Sequence, residues 1–150
     1  MQTGSAGLDL IKTSEGFRSN VYNDIAGNPT VGYGHKLTQA EIASGHFAAG
    51  ITGAQGETLL LADLAAVYEP AVNRLVDPSC NQNQFDALVD FCYNEGPRNF
   101  ATMMSHGWSS IAGQIPRWVY AEVNGQMQPV QALVTRRQNE VVLFNTPLSG

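Results

Sequence analysis

The apolar residues near the N-terminus predict a short amphipathic helix. Leu8, Leu10 and Ile11 form its apolar stripe, and Ser5 is placed to cap its N-terminus. Gly16 should end the helix, because glycine readily adopts the left-handed conformation that follows a helix C-terminus. The chain is therefore expected to open with one helix that stops just before Gly16.

A β-hairpin should follow this helix. The pattern of strand, turn and return strand is found in residues 18–23, in Gly27-Asn28-Pro29 and in residues 30–34. Such a hairpin places Asp24 where the first strand meets its turn and Thr30 where the second strand begins. The two side chains would then lie close to each other.

The remainder of the chain is mostly helical. A helix from about Glu57 to Val76 should kink or break near Tyr68-Glu69, because Pro70 lacks the N–H of a helical hydrogen bond. Further helices are predicted near residues 81–95, 98–106, 114–122 and 130–143. These segregated elements predict a single α+β domain over residues 1–150. It would consist of a sheet lobe (about 12–56), an inter-lobe helix (about 57–76) and a helical lobe (about 77–150) joined by the N-terminal helix.

The two cysteines, Cys80 and Cys92, are expected to be free thiols. Residues 81–95 have the capping box and the apolar stripe of one continuous helix. Along a helix that rises about 1.5 Å per residue, the two α-carbons would lie ~15 Å or more apart. A disulfide tolerates less than ~7 Å between them. Free thiols suit a protein made in a reducing compartment.

Composition and charge exclude several classes of protein. A chain of 150 residues with 43% hydrophobic and 14% charged residues is typical of a folded domain. No run approaches the ~18 apolar residues of a membrane span, so stable membrane insertion is not expected. The net charge is −5, with four basic residues against eleven acids in residues 1–96. An acidic chain without a basic run argues against a nucleic-acid partner.

The candidate chemistry lies at Glu15, Asp24 and Thr30. Two carboxyl groups on different elements are what cleavage of a glycosidic bond requires. Glu15 would lie in the last helical turn, where the negative end of the helix dipole favours the protonated carboxyl that a general acid needs. Asp24 and Thr30 could face one water molecule. The alternatives are a chance spacing among 13 acids and a turn aspartate that only caps its own backbone.

The spacing of Glu15, Asp24 and Thr30, followed by Gly-Tyr-Gly-His35, resembles the signature of phage-type lysozymes, the endolysins of glycoside hydrolase family 24. Further similar segments are residues 59–64, 81–88, 93–96 and 133–140, together with Trp118. The resemblance covers about residues 7–145 and implies a lysozyme-like fold. It also implies a monomeric, cofactor-free muramidase that cuts the β-1,4 bond between N-acetylmuramic acid and N-acetylglucosamine in peptidoglycan.

The resemblance also implies roles for individual residues. The catalytic residues would be Glu15, Asp24 and Thr30, and the substrate-binding residues Tyr33, Gly34, His35 and Arg136. His35 would pair with Asp63, and a metal site at His35 is not expected. Arg136 would reach back to Glu15, although a solvated helix face is an equal alternative for Arg136 and Arg137. A water held by Asp24 and Thr30 predicts an inverting enzyme with its carboxyl groups roughly 6.5–9.5 Å apart.

Two other functions are compatible with such a fold. A lytic transglycosylase cuts the same bond without a water nucleophile, and a non-catalytic module would only bind peptidoglycan. The intact spacing of Glu15, Asp24 and Thr30 favours the hydrolase. An endolysin without an export signal would remain in the host cytoplasm until a holin let it reach the periplasm and cell wall at lysis. No basic residue precedes Lys12 and no apolar signal core follows, so a secretory signal peptide is not expected.

Overall fold

The computed structural model describes residues 1–149 and shows the expected α+β fold. The helices are α1 (Ser5–Glu15), α2 (Gln39–Ser44), α3 (Gly53–Asp63), α4 (Glu69–Asn73), α5 (Gln82–Glu95), α6 (Pro97–Met104), α7 (Ile111–Gln114) and α8 (Gln131–Asn145). The strands β1 (Arg18–Asn23), β2 (Pro29–Gly32) and β3 (His35–Lys36) form one antiparallel sheet, and β4 (Tyr120–Val123) and β5 (Gln126–Pro129) form another. Within residues 1–149 no helix is both long and apolar enough to cross a bilayer.

Helix α1 is capped by a residue from elsewhere in the chain. The N-cap position is Gly4 rather than the expected Ser5, so no side chain of the segment itself caps the helix. Instead, the buried carboxylate of Asp86 accepts hydrogen bonds from the backbone N–H groups of Gly4 (2.8 Å) and Gly7 (3.1 Å). The helix ends at Gly16 with a φ of 69°, as predicted. Glu15 is therefore the last residue of α1.

The inter-lobe helix begins earlier than expected and is irregular in the middle. It starts at Gly53 because Thr52 and Gln55 form a reciprocal capping box. The segment Leu64–Tyr68 is π-helical and joins α3 to α4. This irregularity ends two residues before Pro70, whose nitrogen carries no hydrogen to donate. The predicted distortion is thus present, but as a π-helical segment rather than as a break.

Helix α5 runs through the core and packs against α1 and α8. Its start follows the predicted capping box of Asn81 and Gln84, and it ends at Gly96 with a φ of 88°. Its buried apolar residues are Phe85, Ala87, Leu88, Val89, Phe91 and Cys92. Cys80 and Cys92 are both free thiols, as expected.

The helix predicted over residues 114–122 is wrong. Helix α7 ends at Gln114, a 3-10 turn follows at Ile115–Arg117, and the chain then forms the hairpin of β4 and β5. The turn of this hairpin is Asn124-Gly125, with φ values of 53° and 80°. An Asn-Gly pair is a strong local signal for a two-residue hairpin turn. The sequence therefore contains a local signal for this hairpin.

Candidate active site

A cavity of about 550 Å³ lies where the first sheet meets the inter-lobe helix and α5. Its walls are formed by the end of α1, the two turns of the first sheet, the π-helical segment and the end of α5. The lining residues include Glu15, Asp24, Ile25, Gly34, Lys36, Asp63, Val67, Tyr68, Tyr93, Asn94 and Glu95. We call this space the central cavity. Two of the three residues predicted to be catalytic, Glu15 and Asp24, line it.

Glu15 is the last residue of α1, and its carboxyl group is held on two sides. Its Oε1 accepts a hydrogen bond from Nη1 of Arg136 at 2.7 Å. Its Oε2 faces Gly34, where a Cβ atom would lie only 3.0 Å from that oxygen. Gly34 also has a φ of 88°, which disfavours any other residue. Glycine at position 34 therefore allows this loop to approach the carboxyl group of Glu15 closely.

Asp24 follows β1, and its side chain makes the hydrogen bonds of a turn aspartate, which is one of the two predicted alternatives. As a turn aspartate, it accepts hydrogen bonds from the backbone N–H of Asn28 at 2.8 Å and from its Nδ2 at 3.1 Å. The backbone hydrogen bond from Asn28 is the main reason that the pKa of Asp24 lies below its usual value. Asp24 also lines the central cavity. It is therefore an ionised carboxylate, as a general base must be.

Thr30 lies in β2, and its side chain is buried in the hairpin. Only 2% of the residue is exposed, and its hydroxyl donates to the carbonyl oxygen of Asn28 at 2.8 Å. Asn28 thus contacts both Asp24 and Thr30, and the sequence analysis missed this role. The structure brings Glu15 and Asp24 to one cavity, whereas the hydroxyl of Thr30 is turned towards the backbone of its own turn.

Tyr33 contributes to the site through its backbone. Its carbonyl oxygen accepts a hydrogen bond from the hydroxyl of Tyr93 at 2.7 Å. Its ring packs against Phe17, with 5.3 Å between the ring centroids, and under the ammonium group of Lys12. Burial raises the pKa of Tyr93, so this hydroxyl remains a hydrogen-bond donor at neutral pH. Tyr93 therefore fixes the loop that carries Gly34.

His35 is held between two carboxylates. Its Nδ1 lies 2.7 Å from Oδ2 of Asp63, which is the pair that the resemblance implied. Its Nε2 lies 3.0 Å from Oε2 of Glu41, a partner that the sequence analysis missed. The hydrogen bond to Asp63 is the main reason that the pKa of His35 rises to about 9. Since both ring nitrogens contact protein carboxylates, His35 ties the sheet to α2 and α3, and its role as a substrate contact stays a prediction.

The Asp63→Asn variant should therefore lose stability in a pH-dependent manner. In the unfolded chain a histidine titrates near pH 6.5, so only the folded protein holds this proton between pH 6.5 and 9. The contribution is complete below pH 6.5 and is lost as the pH rises towards 9. Urea unfolding of the wild type should show a fall of about 1–3 kcal/mol over this range. Asp63→Asn should flatten it, whereas Asp9→Asn on the surface should not. An unchanged curve for Asp63→Asn would mean that the pair does not contribute.

Arg136 and Arg137 are buried, so the alternative of a solvated helix face is wrong. Arg136 is 7% exposed and Arg137 is 1% exposed. Besides Glu15, Arg136 binds Asp90 in a bidentate manner, with Nε and Nη2 at 3.0 and 2.7 Å from the two carboxylate oxygens. Arg137 donates to Glu95 at 3.0 Å, and further contacts go to Asn94 and Glu140, both at 2.7 Å. The sequence analysis did not assign these acidic partners.

Comparisons with known proteins identify the family of this chain. A family model described as "Phage lysozyme" matches residues 12–140. The endolysin of Lactococcus phage c2 is 35% identical over 157 residues, which cover 100% of this chain. The chain spans only 63% of the length of that relative.

Two solved structures have the same fold. The muramidase domain of SpmX from Asticaccaulis excentricus has a TM-score of 0.81 at 34% identity, covering 97% of this chain and 99% of that chain. A mutant of P22 lysozyme has a TM-score of 0.76 at 32% identity, with the same coverage of 97% and 99%. The lysozyme-like fold is therefore confirmed. Because the family model also matches most of the chain, the protein belongs to the phage lysozyme family, as the resemblance predicted.

Proposed function

We propose that this chain is an endolysin muramidase that hydrolyses the β-1,4 bond between N-acetylmuramic acid and N-acetylglucosamine of peptidoglycan. The observation that supports this most directly is that Glu15 and Asp24 come from different elements and line the same cavity. A glycosidase needs one carboxyl group that donates a proton and a second that acts on the opposite face of the sugar. The family and the muramidase neighbour are consistent with this substrate.

In this mechanism Glu15 protonates the oxygen of the leaving sugar. Its position at the C-terminus of α1 disfavours a negative charge because of the helix dipole. Arg136 has the opposite influence, but its charge is shared with Asp90. The loop at Gly34 keeps bulk away from the carboxyl group, so a glycosidic oxygen can approach it. Glu15 is thus proposed as the general acid.

Asp24 is proposed as the base that activates water on the opposite face of the ring. Its low pKa keeps it ionised, so it can accept a proton and stabilise the positive charge of the transition state. The hydroxyl of Thr30 donates to Asn28, whose backbone N–H donates to Asp24, so the role proposed for Thr30 is to fix the turn that positions Asp24 beside the water. Glycosidases that place a water in this way invert the anomeric configuration.

The stereochemistry of the product tests the proposal. Proton NMR during digestion of a defined glycan should show the α-anomer first, because water attacks the face opposite the β-linked leaving group. Asp24→Asn should abolish this signal. Adding Asn20→Asp, which places a carboxylate on the exposed part of β1, should not restore the signal. Initial release of the β-anomer would contradict an inverting mechanism, and full activity of Asp24→Asn would exclude Asp24 as the base.

The two alternative functions predict different products. A lytic transglycosylase leaves 1,6-anhydro ends, so each cut product would be lighter by one water than the product of hydrolysis. Mass spectrometry of digested wall distinguishes the two reactions. A non-catalytic module would bind the wall without clearing a suspension of permeabilised cells. The ionised Asp24 in the central cavity favours hydrolysis over both.

The proposed partners follow from the proposed substrate. The protein would act as a monomer on peptidoglycan, without a cofactor, and would pass from the host cytoplasm to the cell wall at lysis through a holin-dependent lesion. Expression of this chain with and without a holin tests the route. Lysis only in the presence of the holin is the expected result, and lysis without it would contradict this route.

A further inference from the structure

A cluster of charges extends from Glu15 into the core, and the proposed mechanism leaves most of its carboxyl groups without a role. It consists of two guanidinium groups and four carboxyl groups, those of Arg136, Arg137, Glu15, Asp90, Glu95 and Glu140. Asp90 and Glu140 are both 0% exposed. Buried charges are expensive unless they are paired. With every carboxyl ionised, the cluster would carry two negative charges more than positive ones.

The carboxyl group of Glu140 shows where this excess is removed. Its Oε1 accepts from Nη2 of Arg137 at 2.7 Å and lies 4.0 Å from Nε of Arg136. Its Oε2 is buried and has no hydrogen-bond donor among the residues that the structure describes. A proton on this oxygen would turn it into a donor, and Asp90 is the neighbouring acceptor. The pKa of Glu140 lies well above its usual value, mainly because the carboxyl group is buried and secondly because it is hydrogen-bonded to Asp90.

We propose that Glu140 is uncharged in the active protein and donates a hydrogen bond to Asp90, and that this carboxyl pair sets how strongly Arg136 favours the ionised form of Glu15. The proposal rests on Glu15 as the proton donor. Asp90 covers the Nε and Nη2 side of the guanidinium group, and Glu15 contacts Nη1. One negative charge from the pair offsets Arg136. When Glu15 is protonated as well, the two remaining carboxylates balance the two arginines.

Asp90 and Glu140 are therefore positioning residues that act on Glu15 through Arg136. Titratable side chains near Glu15 include Tyr22 of β1, Tyr68 of the π-helical segment and Tyr93 of α5. Asp24, Lys36, Asp63 and Glu95 line the same cavity. Burial raises the pKa of the three tyrosines, so they stay neutral around pH 7 and leave Arg136 as the charge in contact with Glu15.

The first test uses Glu140→Gln, which imitates the protonated carboxyl. This variant should keep the pH profile of kcat/KM of the wild type. In the folded wild type Glu140 holds a proton that the unfolded chain releases above about pH 4.5. The unfolding equilibrium constant of the wild type should therefore rise with pH, by up to about tenfold per pH unit, relative to Glu140→Gln. A variant with a displaced pH profile, or the absence of this difference in stability, would overturn the proposal.

The second test removes the charge of the pair. In Asp90→Asn alone, Glu140 can ionise and take over the charge that offsets Arg136, so the effect should be small. In Asp90→Asn combined with Glu140→Gln, Arg136 is offset by Glu15 alone. The alkaline limb of the kcat/KM profile should then move to lower pH by about one unit. At pH values above the limb, kcat/KM should therefore be about tenfold lower than in the wild type. A folded double variant with an unchanged limb would overturn the proposal.

An NMR titration separates this inference from the proposed function. The carboxyl carbons of ¹³C-labelled glutamate report the protonation of Glu15 and Glu140 without any catalysis. Glu140 should stay protonated through pH 7, and the titration midpoint of Glu15 should fall by about one pH unit in the double variant. An ionised Glu140 or an unmoved Glu15 midpoint would refute the inference. Activity of Glu15→Gln would instead refute the proposed function and leave the NMR result standing.

Discussion

Replacing Glu15 by glutamine is expected to reduce kcat/KM for wall hydrolysis by about 10²–10⁴-fold, the usual contribution of a general acid. Glutamine has nearly the same shape, and its carbonyl oxygen can still accept the hydrogen bond from Arg136. It cannot transfer a proton to the leaving oxygen. The loss should therefore appear in kcat, with the fold and the binding of substrate preserved.

A matched control lies on the same helix. Asp9 is exposed on α1, and Asp9→Asn removes one negative charge as Glu15→Gln does. Turbidity clearance by Asp9→Asn should equal that of the wild type. Circular dichroism and the melting temperature of Glu15→Gln should remain close to those of the wild type. Clearance at the wild-type rate by folded Glu15→Gln would refute the assignment of the proton donor.

Replacing Arg136 by methionine is expected to cause the largest loss of stability, about 3–5 kcal/mol. Methionine keeps the length and apolar stem of the side chain, so packing changes little. The bidentate partner of Arg136, Asp90, is 0% exposed and would lose its compensating charge. For a chain of this size, the melting temperature should fall by roughly 6–20 °C. Activity should also fall, because the contact with Glu15 is lost.

An exposed ion pair provides the comparison. Lys12 lies 2.6 Å from Glu57, but the two side chains are 24% and 45% exposed. Lys12→Met should therefore cost no more than about 1 kcal/mol. Adding Asp90→Asn to Arg136→Met should recover part of the lost stability, since it removes the unpaired charge. If Arg136→Met melted at the same temperature as Lys12→Met, the buried pair would have no special energetic role.

The local features of the fold were predictable from short segments. The end of α1 at Gly16 and the capping box of Asn81 and Gln84 depend on residues only a few positions apart. The same is true of the hairpin that carries Asp24. The boundaries that were missed also had local signals, since Thr52 with Gln55 marks the start of α3 and Asn124-Gly125 marks the second hairpin.

The candidate site was predicted in part. The positions of Glu15 and Asp24 follow from the ends of α1 and β1, so their spacing in the sequence was informative. The second partner of His35, Glu41, and the hydroxyl contact of Thr30 were not predicted, because each depends on how the turns fold back. The hydrogen-bond groups of a turn can be satisfied in several ways, and only the packed structure selects one.

By itself, the sequence determined where helices and turns begin and end, and which acids are candidates for chemistry, because these properties depend on near neighbours. Only the tertiary structure decided that Arg136 is buried and holds Glu15 from 121 positions away. It also decided that Asp86 caps α1 and that Asp90 and Glu140 lie beside Arg136. Charge compensation in a buried site depends on which elements pack together, and the local pattern around each residue does not contain that information.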